Sequence, residues 1–180
     1  MVSKFLFFTA FCAVACSVSA QDKSLNLFGD SKAKGPTIVT ATDEATFDSK
    51  NHVAVFIGKV EVQDPQFSMT CDKLTVQLNA DGGGMKQANA DGNVFIVSVQ
   101  KDKNGGPDEK SNGKGDRAIY TPSDGRIALY GNPQVQQGGN THISTEPGTK
   151  MFLYKDGRLK TEGGSRTIIQ PSGDESKTPK

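Results

Sequence analysis

Residues 54–63 read AVFIGKVEVQ, an apolar run, then a glycine, then a strict alternation of apolar and polar side chains. The same figure returns as NADGNVFIVSVQ at 89–100 and as ALYGNPQVQQ at 128–137. Aligned on Gly58, Gly92 and Gly131, the residues two places on are Val60, Val94 and Pro133, and those four places on are Val62, Ile96 and Val135. Two-residue spacing puts such side chains on one face of a strand. A glycine inside a strand weakens it locally but permits a bulge or a sharp bend. A bend repeated at the same place in successive hairpins curves a whole stack of strands, and hairpins that cannot bury an apolar face alone can do so stacked. The plainer alternative is a β-sandwich in which these glycines are ordinary turn residues.

A larger unit surrounds each glycine. It opens on an acid, runs through branched or aromatic residues and a turn, and ends in the glycine-broken strand. The copies start at Asp43, Asp72 and Asp116, and a degenerate fourth, TKMFLYKDGRLKTEGG, starts at Thr149. The turns are explicit: DSKN at 48–51, NADGGG at 79–84, PSDG at 122–125 and KDG at 155–157. Asp-Gly and Asn-rich pairs favour the positive φ of tight hairpins. No segment repeats apolar residues at helical spacing over three turns. The expected fold class is therefore all-β, an open, twisted antiparallel sheet built from repeated hairpins.

Length and composition agree. The chain has 180 residues, enough for one domain with tails. Residues 1–20 read as a signal peptide: Lys4, a short apolar core FLFFTAFCAVA, and VSA before Gln21. A second reading takes AVAC as a lipoprotein box, with a lipid anchor at Cys16. Both readings export the protein. Residues 21–35 are expected to be a linker, 36–170 the β domain and 171–180 a disordered tail. KDKNGGPDEKSNGKG at 101–115 carries no apolar side chain but one proline and is expected to be a solvated loop.

The charge balance narrows the function classes. Of 21 basic and 20 acidic residues, one lysine and no acid fall in residues 1–20, so the remainder carries 20 of each. A neutral chain argues against nucleic-acid binding, which needs a basic excess. Cys71 is the one cysteine left after cleavage at Ala20, so no disulfide forms within the mature chain. Hydrophobic residues make up 34% of the chain, which favours a thin, extended β-structure over a thick core. Nor is there a visible catalytic constellation. His52 and His142 stand apart in sequence, DGGG at 81–84 lacks the lysine and helix of a phosphate loop, and no Gly-x-Ser-x-Gly elbow occurs. Cys71 reads as a small buried hydrophobe at a strand end. No enzyme, metal or cofactor is expected.

The residues TATDEATFDSKNHVAVFIGKVEV, TCDKLTV, ANADGNVFI, GDRAIYTPSDGRIALYGNPQVQQGGN and YKDGRLKTEG resemble the OstA-like (LptA) family of lipopolysaccharide-transport periplasmic proteins. The resemblance spans roughly residues 37–164 and is densest over 115–140. It implies a V-shaped or rolled β-jellyroll whose protomers join head to tail through edge strands. It also implies a continuous apolar groove carrying the acyl chains of lipopolysaccharide from inner to outer membrane. The implied location is the periplasm, and the implied partners are lipopolysaccharide (lipid A) and other OstA-like proteins of the two membranes. A membrane-anchored relative would carry an N-terminal transmembrane helix and an outer-membrane relative a large barrel; neither is expected here.

Strand parity gives the groove lining: Val55, Val60, Val62, Phe67, Met69, Leu74, Val76, Leu78, Val94, Ile96, Leu129, Val135 and Leu153, with Glu61 pointing outward. The edges are expected near Thr37–Thr42 and Arg158–Ile169. Lys34, Arg158, Lys160 and Arg166 near the ends are read as solubilising charges. The competing reading is a module of the same fold, tethered through Cys16, that binds protein partners rather than lipid.

Overall fold

The computed structural model describes residues 36–170 except 66, 82–83, 101–108 and 155. The signal, linker and tail readings lie outside the described residues. Within them the chain forms twelve strands and one short 3-10 turn. The strands are β1 (Ile38–Thr40), β2 (Glu44–Asp48), β3 (Val53–Gln63), β4 (Phe67–Leu78), β5 (Met85–Gln100) and β6 (Glu109–Thr121). After a 3-10 turn at Pro122–Asp124 come β7 (Arg126–Tyr130), β8 (Gln134–Gln137), β9 (Asn140–Ser144), β10 (Lys150–Tyr154), β11 (Leu159–Glu162) and β12 (Ser165–Ile168). Every pairing is antiparallel and all join one 12-stranded sheet.

The turns follow their sequences. Asp48 Oδ1 accepts from the backbone N–H groups of Lys50 and Asn51, each at 2.9 Å, and closes the first hairpin. Those bonds hold the Asp48 carboxyl below its ordinary value of 3.8, the Asn51 backbone donor contributing most. Gly125 takes φ +59 at the end of the 3-10 turn, a left-handed conformation that glycine adopts without strain.

The sheet is creased across its middle. On β3 the pairing with β4 slips between Ile57 and Val60; on β5 the pairing with β6 slips between Asp91 and Val94. At each slip two consecutive residues take positive φ: Gly58 and Lys59 at +84° and +40°, Gly92 and Asn93 at +77° and +47°. A third pair, Gly131 and Asn132 at +68° and +51°, separates β7 from β8. These are β-bulges in which an extra residue bends the strand.

The crease sorts the strands into two layers. β2 pairs with the Val53–Ile57 part of β3, whereas β1 pairs with the Glu61–Gln63 part. β7 pairs with Arg117–Thr121 of β6, whereas β8 pairs with Ser111–Lys114. β10 and β11 extend the β7 side, and β9 and β12 extend the β8 side. One layer thus holds β2, β7, β10, β11 and the adjoining halves of the long strands; the other holds β1, β8, β9, β12 and the remaining halves. The sheet folds along the crease like an open book, and its inner faces meet.

Two expectations change. The stretch 101–115 is not a loop throughout, because β6 begins at Glu109. Ser111 and Gly113 are buried there, while Lys110 and Lys114 are exposed. The strand therefore alternates, but its inward positions are small. The reason lies across the book: a Cβ on Gly113 would stand 3.0 Å from Leu129 Cδ1 and 3.9 Å from Leu153 Cδ1. The opposite layer supplies the apolar bulk, so this strand carries no hydrophobic signature of its own. The second change concerns the edges. The expected edge at Thr37–Thr42 is β1 and shares its side of the sheet with β2, which lies beyond those bounds, while the one at Arg158–Ile169 is two strands, β11 and β12, because the crease cuts the ends as well as the middle.

Candidate functional site

The inner faces of the two layers form one apolar cluster. Val60, Val62, Leu74, Val76, Leu129 and Val135 are at most 1% exposed. Met69, Leu78, Val94 and Ile96 are also buried, and Phe67 and Leu153 pack against them half-buried. The glycine alignment therefore reads the inner face correctly: Val60, Val94 and Pro133 are all among the fully buried side chains. Val55 stands apart. It alternates with Ala54 and Phe56, pairs with Thr46 and Thr75, and so lies on the outer face. The dense apolar run before Gly58 concealed this, since both faces of β3 carry apolar side chains there. Glu61 is exposed between Val60 and Val62.

Residues that the sequence reading passed over also line the inner face. Ala88, Ala90, Ala118 and Met151 are buried in the same cluster. In register, Ala90 faces Ala118, which faces Leu129, which faces Met151. Small residues on β5 and β6 thus lie beside large ones on β7 and β10.

The acids that open the repeats have a place too. A Cβ on Gly58 would overlap the Asp43 carboxyl, one on Gly92 the Asp72 carboxyl, and one on Gly131 the Asp116 carboxyl. Each acid sits over the glycine of a bulge, and the spacing between acid and glycine in the repeat is the spacing of this contact. Asp72 Oδ2 also accepts from Asn93 Nδ2 at 2.8 Å. The fourth copy keeps the arrangement with other chemistry. Thr149, 2% exposed, donates to the Gly164 carbonyl at 3.0 Å, and a Cβ on Gly163 would meet Thr149 Oγ1 at 2.7 Å. Backbone bonds across the crease complete it: Thr42 N–H to Gly58 O at 2.8 Å, Asp116 N–H to Gly131 O at 3.0 Å and Thr145 N–H to Gly164 O at 2.9 Å.

Opposite the crease lies the seam where the tips of the layers face each other. There Gln137, at the end of β8, donates from Nε2 to the carbonyl of Gly157 in the β10–β11 turn at 2.8 Å. Two clefts, of about 290 and 310 Å³, open beside inner-face residues, the first reaching Phe67 and the second Val60 and Cys71. The first sits at the Asp64–Pro65 turn against Val97 and Val99; the second lies over the crease between Lys59, Glu61, Asp72 and Asn93.

The outer face mixes apolar side chains, among them Val55 and the 43%-exposed Phe95, with cation–ring pairs. Arg126 lies 5.1 Å over Phe152, Lys150 5.9 Å over Tyr130 and Arg158 4.7 Å over Tyr154. Arg158 also pairs with Asp156 and Lys160 with Glu162, each at 2.7 Å. Those contacts lower both carboxyls and raise the Lys160 ammonium, the side-chain hydrogen bond being the largest cause in each case. Such exposed pairs are worth little, but they cover the aromatic rings. Among the described residues no group of three or more His, Cys, Asp or Glu is placed to hold a metal ion. His142 Nδ1 lies 3.0 Å from Thr167 Oγ1, between β9 and β12. Cys71 is buried within β4 beside the crease rather than at a strand end, and burial, with the Asp72 charge second, pushes its thiol up to about 11.

Among the described residues the sheet ends on β1 and β2 at one side and on β11 and β12 at the other. Among the described residues β1 and β2 bond only to β3, β11 only to β10 and β12 only to β9. Ile38 on β1 is 54% exposed and Ile168 on β12 45% exposed.

Residues 39–146 match the family described as LptA/(LptD N-terminal domain) LPS transport protein. Among solved structures, the fold is similar to that of LptH from Pseudomonas aeruginosa, described as the LptA homologous periplasmic component of the conserved lipopolysaccharide transport device. The TM-score is 0.65 at 20% identity, covering 79% of this chain and all of that one. A search of curated proteins finds no match.

Proposed function

The chain belongs to the LptA/LptD N-terminal-domain family of lipopolysaccharide transport proteins, and from that premise we propose that it is a periplasmic carrier that shields lipopolysaccharide acyl chains between its two layers. The observation that carries the reading is the continuous apolar inner face, built from both layers and running from β3 to β10. An acyl chain in water costs about 0.8 kcal/mol per exposed CH₂, so a dozen methylenes need roughly 10 kcal/mol of shelter. A creased sheet supplies that shelter while leaving sugars and phosphates wet at its margins.

The lining we assign is Val60, Val62, Met69, Leu74, Val76, Leu78, Val94, Ile96, Leu129 and Val135, with Phe67 and Leu153 at its margin. The open edges suit handover. A β1/β2 edge offers unpaired backbone groups to the β11/β12 edge of a second copy, or to a related sheet in either membrane. The exposed Ile38 and Ile168 belong to the same layer and would then fall near one another.

The test is co-elution. The mature chain, residues 21–180, is incubated with purified lipopolysaccharide and passed through gel filtration. Carriage predicts lipopolysaccharide in the protein peak at near-equimolar ratio. A folded protein that elutes free of lipid removes the carrier reading and favours a module that binds protein. Processing that is sensitive to globomycin would assign that module a lipid anchor at Cys16.

A further inference from the structure

We propose that acyl chains are admitted sideways, through the seam between the two layers, and that Gln137 gates this seam while the row of bulges acts as its hinge. The inference rests on the carrier reading above and says how that same site is filled.

The interior is tightly packed. The residues that would line it bury one another, Val62, Leu74, Val76, Leu129 and Val135 to 0% exposure. Close-packed interiors do not admit a chain without separating. The layers must therefore part, and the fold shows where they can. β3 and β5 cross from one layer to the other through consecutive positive-φ residues, Gly58–Lys59 and Gly92–Asn93, and Gly131–Asn132 carries the chain from β7 to β8. At these bulges the ladder is interrupted on β3 and β5. Rotation at these bulges, with bending of β4 and β6 where they cross the crease as continuous strands, opens a book while the pairing within either page is kept.

The contact that holds the far side is small by comparison. Gln137 Nε2 to Gly157 O joins the tip of one layer to the tip of the other, at the end of β8 farthest from the crease. Inside the seam, the flat backbone at Gly113 lets Leu129 and Leu153 of the opposite layer come close. A single hydrogen bond at a partly exposed tip is weak enough to open repeatedly, and its loss is expected to speed opening about two- to tenfold. Gln137 is thus a positioning residue: it joins the tips of the two layers.

The experiment uses the mature chain and fluorescent lipopolysaccharide in a stopped-flow capture assay. The double variant Gln137→Cys/Asp156→Cys places thiols on the two tips and avoids the positive-φ Gly157. Cys71 is buried, with its thiol near 11, so it does not compete for a short bis-maleimide bridge. Bridging is expected to slow capture at least tenfold, while the unbridged double variant captures at the parental rate or faster. Gln137→Ala is expected to speed capture about two- to tenfold, with equilibrium affinity changed less than the rate. Capture by the bridged protein at the parental rate would overturn the gate, since lipid would then be moving along the trough from its open edges. A parent protein that captures no lipopolysaccharide would overturn the carrier reading and the gate with it. Circular dichroism of the bridged form confirms that the sheet is intact.

Discussion

Gly58 and Gly139 have nearly the same φ, +84 and +82, in different surroundings. An added Cβ at Gly139 meets nothing within 4 Å, whereas at Gly58 it would overlap the Asp43 carboxyl. Both substitutions to alanine force an L side chain into the left-handed region, at a cost of about 1–2 kcal/mol. Gly58→Ala adds a steric conflict. To relieve it, Asp43 must swing away or the bulge must shift, disturbing the Thr42 N–H to Gly58 O bond at 2.8 Å. A lost bond of that kind adds about 1 kcal/mol. Gly139→Ala should therefore cost about 1–2 kcal/mol and Gly58→Ala about 2–4 kcal/mol, read from urea midpoints at constant slope. The double variant Asp43→Ala/Gly58→Ala is the sharper measurement. The atoms in conflict belong to the carboxyl, so truncating Asp43 should recover roughly 1–2 kcal/mol of the Gly58→Ala loss. If Gly58→Ala and Gly139→Ala cost the same within about 0.5 kcal/mol, and Asp43→Ala restores nothing, the pairing of acid and glycine is incidental to the crease.

Three further outcomes follow from the same geometry. Lys59 occupies a left-handed position where the other two bulges carry Asn93 and Asn132; Lys59→Asn should stabilise the fold by about 0.5–1 kcal/mol, because asparagine tolerates that region better, and a lower urea midpoint would contradict this. Leu129→Ala, at a fully buried position, should cost about 2–5 kcal/mol, whereas Val55→Ala on the outer face should cost less than about 1 kcal/mol; equal losses would refute the assignment of faces. Burial pushes the Cys71 thiol up to about 11 from an ordinary 9.0. The folded chain keeps this proton where the unfolded chain loses it, so its contribution is complete below pH 9 and falls as pH rises toward 11, by roughly 2–3 kcal/mol. Cys71→Ala should flatten that part of the alkaline stability curve, and an unchanged slope would assign the loss to other groups.

Much of this architecture is legible in the chain because it is written several times. The three glycines mark the bulges, and period-two counting outward from them identifies the inner face on β3, β5 and β8. The acids that open each copy were visible as a pattern, but their role was not. The contact of Asp43 with Gly58, or of Asp116 with Gly131, is made in space by pairing strands, and no local rule reports it. Two failures have definite physical causes. The Glu109–Gly115 part of β6 reads as loop because its inward residues are serine and glycine, with the apolar bulk supplied by Leu129 and Leu153 from the facing layer. Val55 reads as inward because AVFI is apolar on both faces, so alternation carries no information there. The division of the end strands into β1/β2 and β11/β12 depends on the crease continuing to both edges. Gly163–Gly164 signals this on one side, and only the pairing pattern reveals it on the other.

The central claim is that the inner faces of the creased sheet hold acyl chains, and site-specific crosslinking tests it most directly. A photo-crosslinking amino acid is placed at Val60, at Val94 or at the outward-facing Glu61 of the mature chain, and each protein is irradiated with purified lipopolysaccharide. The account predicts lipid adducts at Val60 and Val94 and none at Glu61. Adducts at Glu61 alone, or none at any position in a folded protein, would contradict it.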